Sequence, residues 1–293
     1  MVTSHECTVT QAKFNKNFNS IISTDENSTV CVWDVEDGKL LFKFVEAHGK
    51  SRINYCCFDA SGRRLITGAH DGSVKVWNFS NGQCLKELDP MQEPKEVTGI
   101  TFVGDENSNK LQHFLTVGWD KHIYLWPDDG ELVSTYSKRL PKSGQQGHTD
   151  DILCVVFCQA EKLVFTGGHL GQLIGWHHET GFIKCYFHDF DATMIAEGKE
   201  PRAVEGLLYA SEQGWLCSVT ADGQLRFWDV GNLQFMFKTK AGHYHVDSLT
   251  ACSLSPCATR IGTCDAGGNM KLWDCEGVTI GDRDASNVSE IYF

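Results

Sequence analysis

His177 and His178, adjacent in the stretch HHET, are the first pair in the chain that invites a metal. Neighbouring side chains of an extended strand point to opposite faces, so the two imidazoles cannot readily share one ion, and a surface role is expected for His177. His243 and His245 alternate and do fall on one face. Cys154 and Cys158, in ILCVVFC, also share a strand face, but four residues of strand rise set them about 13 Å apart. That spacing forbids a local disulfide or a shared metal and reads as core packing. The DDGE at 128–131 lacks the alternating oxygen ligands of a twelve-residue calcium loop and reads as a hairpin turn. No Walker-type loop, GxSxG turn or HExxH helix motif occurs. These residues predict no enzyme: no catalytic residue, no cofactor and no metal.

The elements that would carry such groups are strands. The 293 residues include 28 glycines and only 6 prolines, which fits a chain with many turns and few rigid linkers. Hydrophobic residues make up 41% and charged residues 22%, enough for a real core. The formal net charge is −12 with no basic stripe, which disfavours nucleic acid and anionic membrane surfaces as partners. The 13 cysteines are odd in number and form no CxxC pair, and several sit in apolar runs such as INYCCF. Such thiols behave as small hydrophobes and point to a reduced, cytoplasmic compartment. The first residues, MVTSHECTVTQAKF, show no apolar signal region, and no run approaches transmembrane length.

A repeat organises the whole chain. Six tryptophans, Trp33, Trp77, Trp126, Trp176, Trp228 and Trp273, follow one another at spacings of 44 to 52 residues. Ten residues before each stands a hydroxyl: Ser23, Thr67, Thr116, Thr166, Ser218 and Thr263. Six residues before each is a turn position, held by Asn27, Asp71, Asp120, Leu170, Asp222 and Gly267. Around each tryptophan the apolar residues alternate in period two, as in SVKVWN, QLRFWD and NMKLWD. Turn chemistry falls between, as in ASGRR, HDGS and SNGQ, so each unit reads as about four strands.

The stretch AHGKSRINYCCFDASGRRLITGAHDGSVKVWN resembles the units of the WD-repeat family, which carry a Gly-His pair before the first strand and Trp-Asp after the third. The resemblance covers nearly all of the chain. It implies an all-β fold, a WD-repeat β-propeller of six recognisable four-stranded blades, complete or part of a seven-blade or tandem propeller. It also implies a network in which a histidine bridges the turn aspartate and the strand hydroxyl, and the hydroxyl meets the indole N–H. Carried over residue by residue, that network comprises His48, Thr67, Asp71 and Trp77 in the second unit, the only complete set. Thr116, Asp120 and Trp126 follow in the third, His148, Thr166 and Trp176 in the fourth, Ser218, Asp222 and Trp228 in the fifth, and His243, Thr263 and Trp273 in the sixth. Units three and five show no histidine, unit four has Leu170 and unit six Gly267 at the turn, so those blades are expected to be softer.

The units run roughly over 5–46, 47–90, 91–142, 143–190, 200–240 and 241–281, and the tail GVTIGDRDASNVSEIYF can supply the last strand of the sixth. VGWD at 117–120, followed by HTDDIL at 148–153, is similar to one group within the family: large proteins with two propellers, often with EF-hand modules, associated with cilia and flagella. This chain has no EF-hand loop and is short for two propellers, which implies a fragment. A propeller boundary is expected near 188–205.

Trp119 stands one residue before the turn aspartate Asp120, where solvent is expected. The residues at its repeat position include His70 and His169. Aromatic side chains are enriched at binding hot spots, so His70, Trp119 and His169 form a candidate partner-contact patch; the competing reading is that Trp119 only packs over a neighbouring loop. The functional expectation is a non-catalytic protein–protein interaction scaffold. The ciliary resemblance directs it to the axoneme, with axonemal or cytoskeletal subunits as partners. The rival is a regulatory adaptor, a peptide reader or a ubiquitin-ligase substrate receptor. None of the six tetrapeptides that start at the repeat tryptophans is the Trp-Asp-x-Arg of many such receptors.

Overall fold

A computed structural model describes residues 5–88, 95–104, 113–127, 134–136, 147–187, 202–239, 245–280 and 288–291. The chain divides into two compact units, Met1–Thr135 and Tyr136–Phe293. Residues 188–201 of the expected boundary near 188–205 lie outside the described residues.

The first unit holds three antiparallel sheets. Blade 1 comprises β1 (Val9–Asn15), β2 (Ser20–Asp25), β3 (Val30–Asp34) and β4 (Leu40–Phe44). Blade 2 comprises β5 (Ile53–Phe58), β6 (Arg64–Ala69), β7 (Val74–Asn78) and β8 (Cys84–Leu88). Blade 3 comprises β9 (Val97–Val103), β10 (His113–Gly118), β11 (Ile123–Pro127) and β12 (Ser134–Thr135). In the second unit, blade 4 comprises β13 (Ile152–Cys158), β14 (Leu163–Gly168), β15 (Leu173–His177) and β16 (Ile183–Phe187). Blade 5 comprises β17 (Val204–Ala210), β18 (Trp215–Thr220), β19 (Leu225–Asp229) and β20 (Gln234–Lys238). Blade 6 comprises β21 (Leu249–Leu254), β22 (Arg260–Asp265), β23 (Met270–Asp274) and β24 (Ser289–Ile291), so the tail does supply its fourth strand. In every blade the four strands pair in sequence order, and the described residues contain no helix of the α type.

Period-two alternation in these strands does not separate core from solvent, because most blades bury both faces. β14, β18 and β19 are buried along their whole length. Within each unit, consecutive blades pack face to face. Within the first unit, Ile22, Val30 and Val32 of blade 1 cluster with Leu65, Trp77 and Phe79 of blade 2. Ile66, Val74 and Val76 of blade 2 in turn cluster with Ile100, Phe114 and Trp126 of blade 3. Within the second unit, Phe165 and Leu173 meet Leu216 and Trp228, and Leu225 and Phe227 meet Ile261 and Trp273. Each such side chain contributes about 1.5–3 kcal/mol when fully buried.

Two irregularities recur and serve the site. The register between third and fourth strands slips at the tryptophan in blades 1, 2, 4 and 5, and such bulges re-aim a side chain. Five residues before every repeat tryptophan the backbone is left-handed, with φ from 63° at Ser28 to 83° at Gly72. Four blades place glycine there (Gly72, Gly171, Gly223, Gly268), but blade 3 has Lys121 at φ 66°. Lys121→Gly is expected to stabilise the protein by about 0.5–1 kcal/mol, since the left-handed cost of a non-glycine residue exceeds the entropy glycine adds to the unfolded chain. A urea midpoint that does not rise would show that the Lys121 side chain offsets its backbone cost.

Candidate functional site

All six repeat tryptophans donate their indole N–H to the hydroxyl ten residues earlier. The distances are 2.7 Å for Trp33 to Ser23, 2.8 Å for Trp77 to Thr67 and 2.9 Å for Trp126 to Thr116. They are 2.8 Å for Trp176 to Thr166, 2.9 Å for Trp228 to Ser218 and 2.8 Å for Trp273 to Thr263. This clasp joins the second and third strands of each blade and satisfies two buried polar groups together. What sits above the clasp, at the turn end of the blade, differs from blade to blade.

Blades 1 and 6 have a full relay. His5 reaches Ser23 at 2.6 Å through Nε2 and Asp25 at 2.7 Å through Nδ1. His245 reaches Thr263 at 2.7 Å and Asp265 at 2.8 Å in the same manner. A carboxylate only accepts, so Nδ1 carries the proton, Nε2 accepts from the hydroxyl, and the hydroxyl oxygen accepts from the indole. The sequence reading places Thr263 and Trp273 of blade 6 correctly but finds no aspartate there, and it assigns blade 1 no network. The aspartates stand eight residues before the tryptophan, not at the Asn27 and Gly267 positions. The histidine of blade 6 is His245; His243 lies outside the described residues. His5 and the first blade's set are absent from that reading, though an acid at the end of the second strand (STD, TCD) and a histidine four residues before the first strand are legible signals.

In blade 2, His48 meets Thr67 at 2.7 Å, but Ser73 stands between it and the predicted Asp71. His48 Nδ1 lies 2.5 Å from the Ser73 hydroxyl, which donates to Asp71 at 2.6 Å. In blade 4, His148 meets Thr166 at 2.7 Å, and Gly168 occupies the place of Asp25 and Asp265, so it brings no carboxylate to the ring. Burial pushes the His148 imidazole down to about 4. His48 is lowered to about 4 by burial first and then by the Lys75 ammonium.

Blades 3 and 5, expected to be soft, carry a different latch. The residue two before the tryptophan reaches across to the aspartate six before it. In blade 3 the Tyr124 hydroxyl donates to Asp120, whose other oxygen accepts the His122 backbone N–H at 3.1 Å. In blade 5 the Arg226 guanidinium grips Asp222 with two bonds, Nη1–Oδ1 at 3.0 Å and Nη2–Oδ2 at 2.9 Å. Arg202 adds a contact of 3.2 Å to the same carboxylate. Burial works to raise the Asp222 carboxyl, but the Arg226 bonds and charge and the Thr220 hydroxyl outweigh it and hold the group at about 2.

The Ser23–His5–Asp25 and Thr263–His245–Asp265 relays have the connectivity of a hydrolase triad. Both hydroxyl oxygens are buried and already accept an indole N–H, so no substrate carbon can approach them. Among the described residues no group of three or more His, Cys, Asp or Glu could hold a metal ion. Cys154 is buried with its thiol 3.2 Å from the Val204 carbonyl, and Cys158 is fully buried. His178 stacks edge-on to Phe157 at 5.4 Å. DDGE at 128–131 lies outside the described residues. All thirteen cysteines are free thiols. Cys257 is exposed, and hydrogen bonds with Ser255 and Thr259 hold its thiol down at about 7.

The surface around Trp119 is built differently. Its backbone N–H donates to the Glu96 carbonyl at 3.1 Å. The residue before it must be glycine: a Cβ on Gly118 would lie 2.2 Å from that carbonyl oxygen. The indole is 43% exposed and meets the edge of His70 at a centroid distance of 6.4 Å and an angle of 81°. Beneath them the buried Glu96 carboxylate binds Arg52 at 3.1 Å, Asn54 at 2.8 Å and His70 Nδ1 at 2.9 Å. Trp119 thus packs on its neighbour and still presents an indole surface. His169 belongs to the second unit, where its Nδ1 lies 3.7 Å from Asp150. The patch has His70 and Trp119 in one unit.

Residues 1–34, 38–78 and 139–177 match the family described as WD domain, G-beta repeat. The chain is similar to proteins named WD repeat-containing protein on Y chromosome. It is 30% identical to that of Drosophila virilis over 204 residues, 67% of this chain and 16% of that protein. It is 30% identical to that of Drosophila grimshawi over 186 residues, 61% of this chain and 15% of that protein. It is 28% identical to that of Drosophila pseudoobscura pseudoobscura over 218 residues, 72% of this chain and 19% of that protein. The chain therefore spans under a fifth of the length of these relatives. Matched repeats and six four-stranded sheets, each closed by an indole–hydroxyl clasp, make this chain a member of the WD40 repeat family, folded as WD-repeat propeller blades.

Proposed function

We propose that the protein is a non-catalytic scaffold that binds other proteins, with the Trp119–His70 platform as one of its contact surfaces. The observation that carries this reading is the half-exposed indole itself, fixed by its own backbone and a glycine that nothing larger can replace. A rigid aromatic placed beside an arginine and a histidine offers large contact area at little entropic cost.

The finer reading is a structural component of the ciliary or flagellar axoneme, acting in the cytoplasm and cilium on axonemal or cytoskeletal subunits. It is supported by the VGWD and HTDDIL motifs. The rival adaptor reading is supported by the net charge of −12, which suits a basic peptide.

Immunoprecipitation with mass spectrometry from detergent-extracted ciliated and non-ciliated cells separates the two. Tubulin and axonemal proteins, recovered only from ciliated cells, are the expected result; ligase subunits from both cell types would favour the adaptor. Trp119→Ala is expected to weaken capture of the principal partner by at least about tenfold with an unchanged melting temperature. Full binding by a normally folded variant would remove the platform from the contact surface.

A further inference from the structure

The chain as a whole is acidic, with a formal net charge of −12, but the Trp119–His70 platform turns hydrogen-bond donors outward. Its residues all belong to the first unit. Arg52 is its fixed cation. Nε donates to Asn54 Oδ1 at 2.7 Å and Nη2 to Glu96 Oε1 at 3.1 Å, which sets the plane of the guanidinium. The side chain is still 44% exposed. A guanidinium carries five N–H donors and an indole one, and neither has an acceptor. Among the described residues, neither Arg52 Nη1 nor the Trp119 indole N–H donates to another group of the chain.

The carboxylates of the platform are spent within the chain. Glu96 is buried beneath Arg52, Asn54 and His70, with His70 Nδ1 2.9 Å from Oε2. A cation brought by a partner would have to displace Arg52 to reach it. Asp71 and Asp120 directly follow His70 and Trp119, and each serves its own turn. Asp71 accepts the Ser73 N–H at 3.0 Å and the Ser73 hydroxyl at 2.6 Å. Asp120 accepts the His122 N–H at 3.1 Å and the Tyr124 hydroxyl. What the platform keeps to offer is a donor edge on Arg52 and an apolar indole surface on Trp119.

We propose that the platform takes an acidic segment of a partner protein, with an Asp or Glu carboxylate on the Arg52 guanidinium and a neighbouring apolar side chain on the Trp119 indole. This rests on the reading of Trp119 and His70 as a contact surface. Arginine–carboxylate bonds are charge-assisted and directional. Asn54 and Glu96 hold the guanidinium before a partner arrives, so little side-chain freedom is lost on binding. Lys50, two residues before Arg52, and Lys95, next to Glu96, are both exposed and add attraction for an acidic segment.

The test pans a random peptide library displayed on phage against the full chain. Sequences retained by wild type are expected to pair Asp or Glu with an aromatic or aliphatic residue. In fluorescence anisotropy with a synthetic peptide of the retained sequence, Arg52→Gln is expected to weaken binding at least about tenfold. Replacing the peptide's acid by its amide should cost wild type a similar factor and cost Arg52→Gln little, because both changes remove one bond. Circular dichroism checks the fold. If Arg52→Gln alone does not fold, Arg52→Gln combined with Glu96→Gln replaces it, since that pair buries no unmatched charge. Retained sequences that are basic or uncharged, and that Trp119→Ala no longer binds, overturn the acidic partner and leave the contact surface standing. Sequences that bind Trp119→Ala and Arg52→Gln as tightly as wild type put recognition elsewhere and overturn both readings. A library from which wild type retains nothing overturns the acidic segment alone, because a folded partner surface is then required.

Discussion

Lowering the pH from about 7 to about 4.5 is expected to remove several kcal/mol of stability well before most carboxylates titrate. His48 and His148 are buried and stay neutral in the folded protein down to about 4. In the unfolded chain they protonate near 6.5. Over the interval between, the unfolded state binds more protons, so stability rises with pH there and falls on acidification. It is complete above about pH 6.5 and levels off below about pH 4 as far as these two groups are concerned. At 1.36 kcal/mol per unit, each ring contributes about 2–3 kcal/mol to the slope. Urea midpoints followed from pH ~7 to pH ~4.5 measure it directly. His148→Gln should flatten about half of the slope while lowering stability at neutral pH. An unchanged slope in that variant would mean that the acid sensitivity arises elsewhere.

The second large effect lies in blade 5. Arg226→Met is expected to cost about 3 kcal/mol, within the usual range for leaving one member of a buried ion pair uncompensated. Asp222 is 6% exposed at its side chain and, among the described residues, keeps Arg202, itself about half exposed, as its remaining ion-pair partner. Adding Asp222→Asn to Arg226→Met should restore more than half of the loss, because the double variant buries no unpaired charge. Denaturant unfolding of the two variants decides it. A loss under about 1 kcal/mol in the single variant would place the pair among weakly contributing surface bridges. The same carboxylate, held at about 2, also sets a separate acid window: its contribution is full above about pH 4 and is lost as the pH falls towards 2.

Much of the fold was legible because one spacing is rigid. A hydroxyl ten residues before a tryptophan fixes the pairing of second and third strands, and that pairing fixes the blade. The turn-end latches were only partly legible. Asp25 and Asp265 stand two residues earlier than the turn position suggests, so Asn27 and Gly267 looked like losses. His243 and His245 are two residues apart in sequence, and only the bonds to Asp265 and Thr263 identify the second as the latch. Tyr124 and Arg226 sit in strands that alternate normally, and nothing in one dimension shows that they reach back across a turn to Asp120 and Asp222. The family description behaves similarly. It matches stretches in blades 1, 2 and 4, all with histidine latches, and passes over blades 3 and 5, which lack one, but also over blade 6, whose His245 relay is complete, so the latch alone does not decide the match. Trp119 was visible as an oddity, but its setting needed Glu96, a residue far from it in sequence whose carbonyl and carboxylate define the platform.

Six identical clasps beneath three kinds of latch also have an evolutionary meaning. The clasp keeps the blade a blade, so the residues above it are released from that duty. A histidine can be exchanged for a tyrosine or an arginine, and a carboxylate can move by two positions, while the architecture stays in place. Variation is thereby channelled to one rim of each blade, where a new partner can be acquired without redesigning the fold.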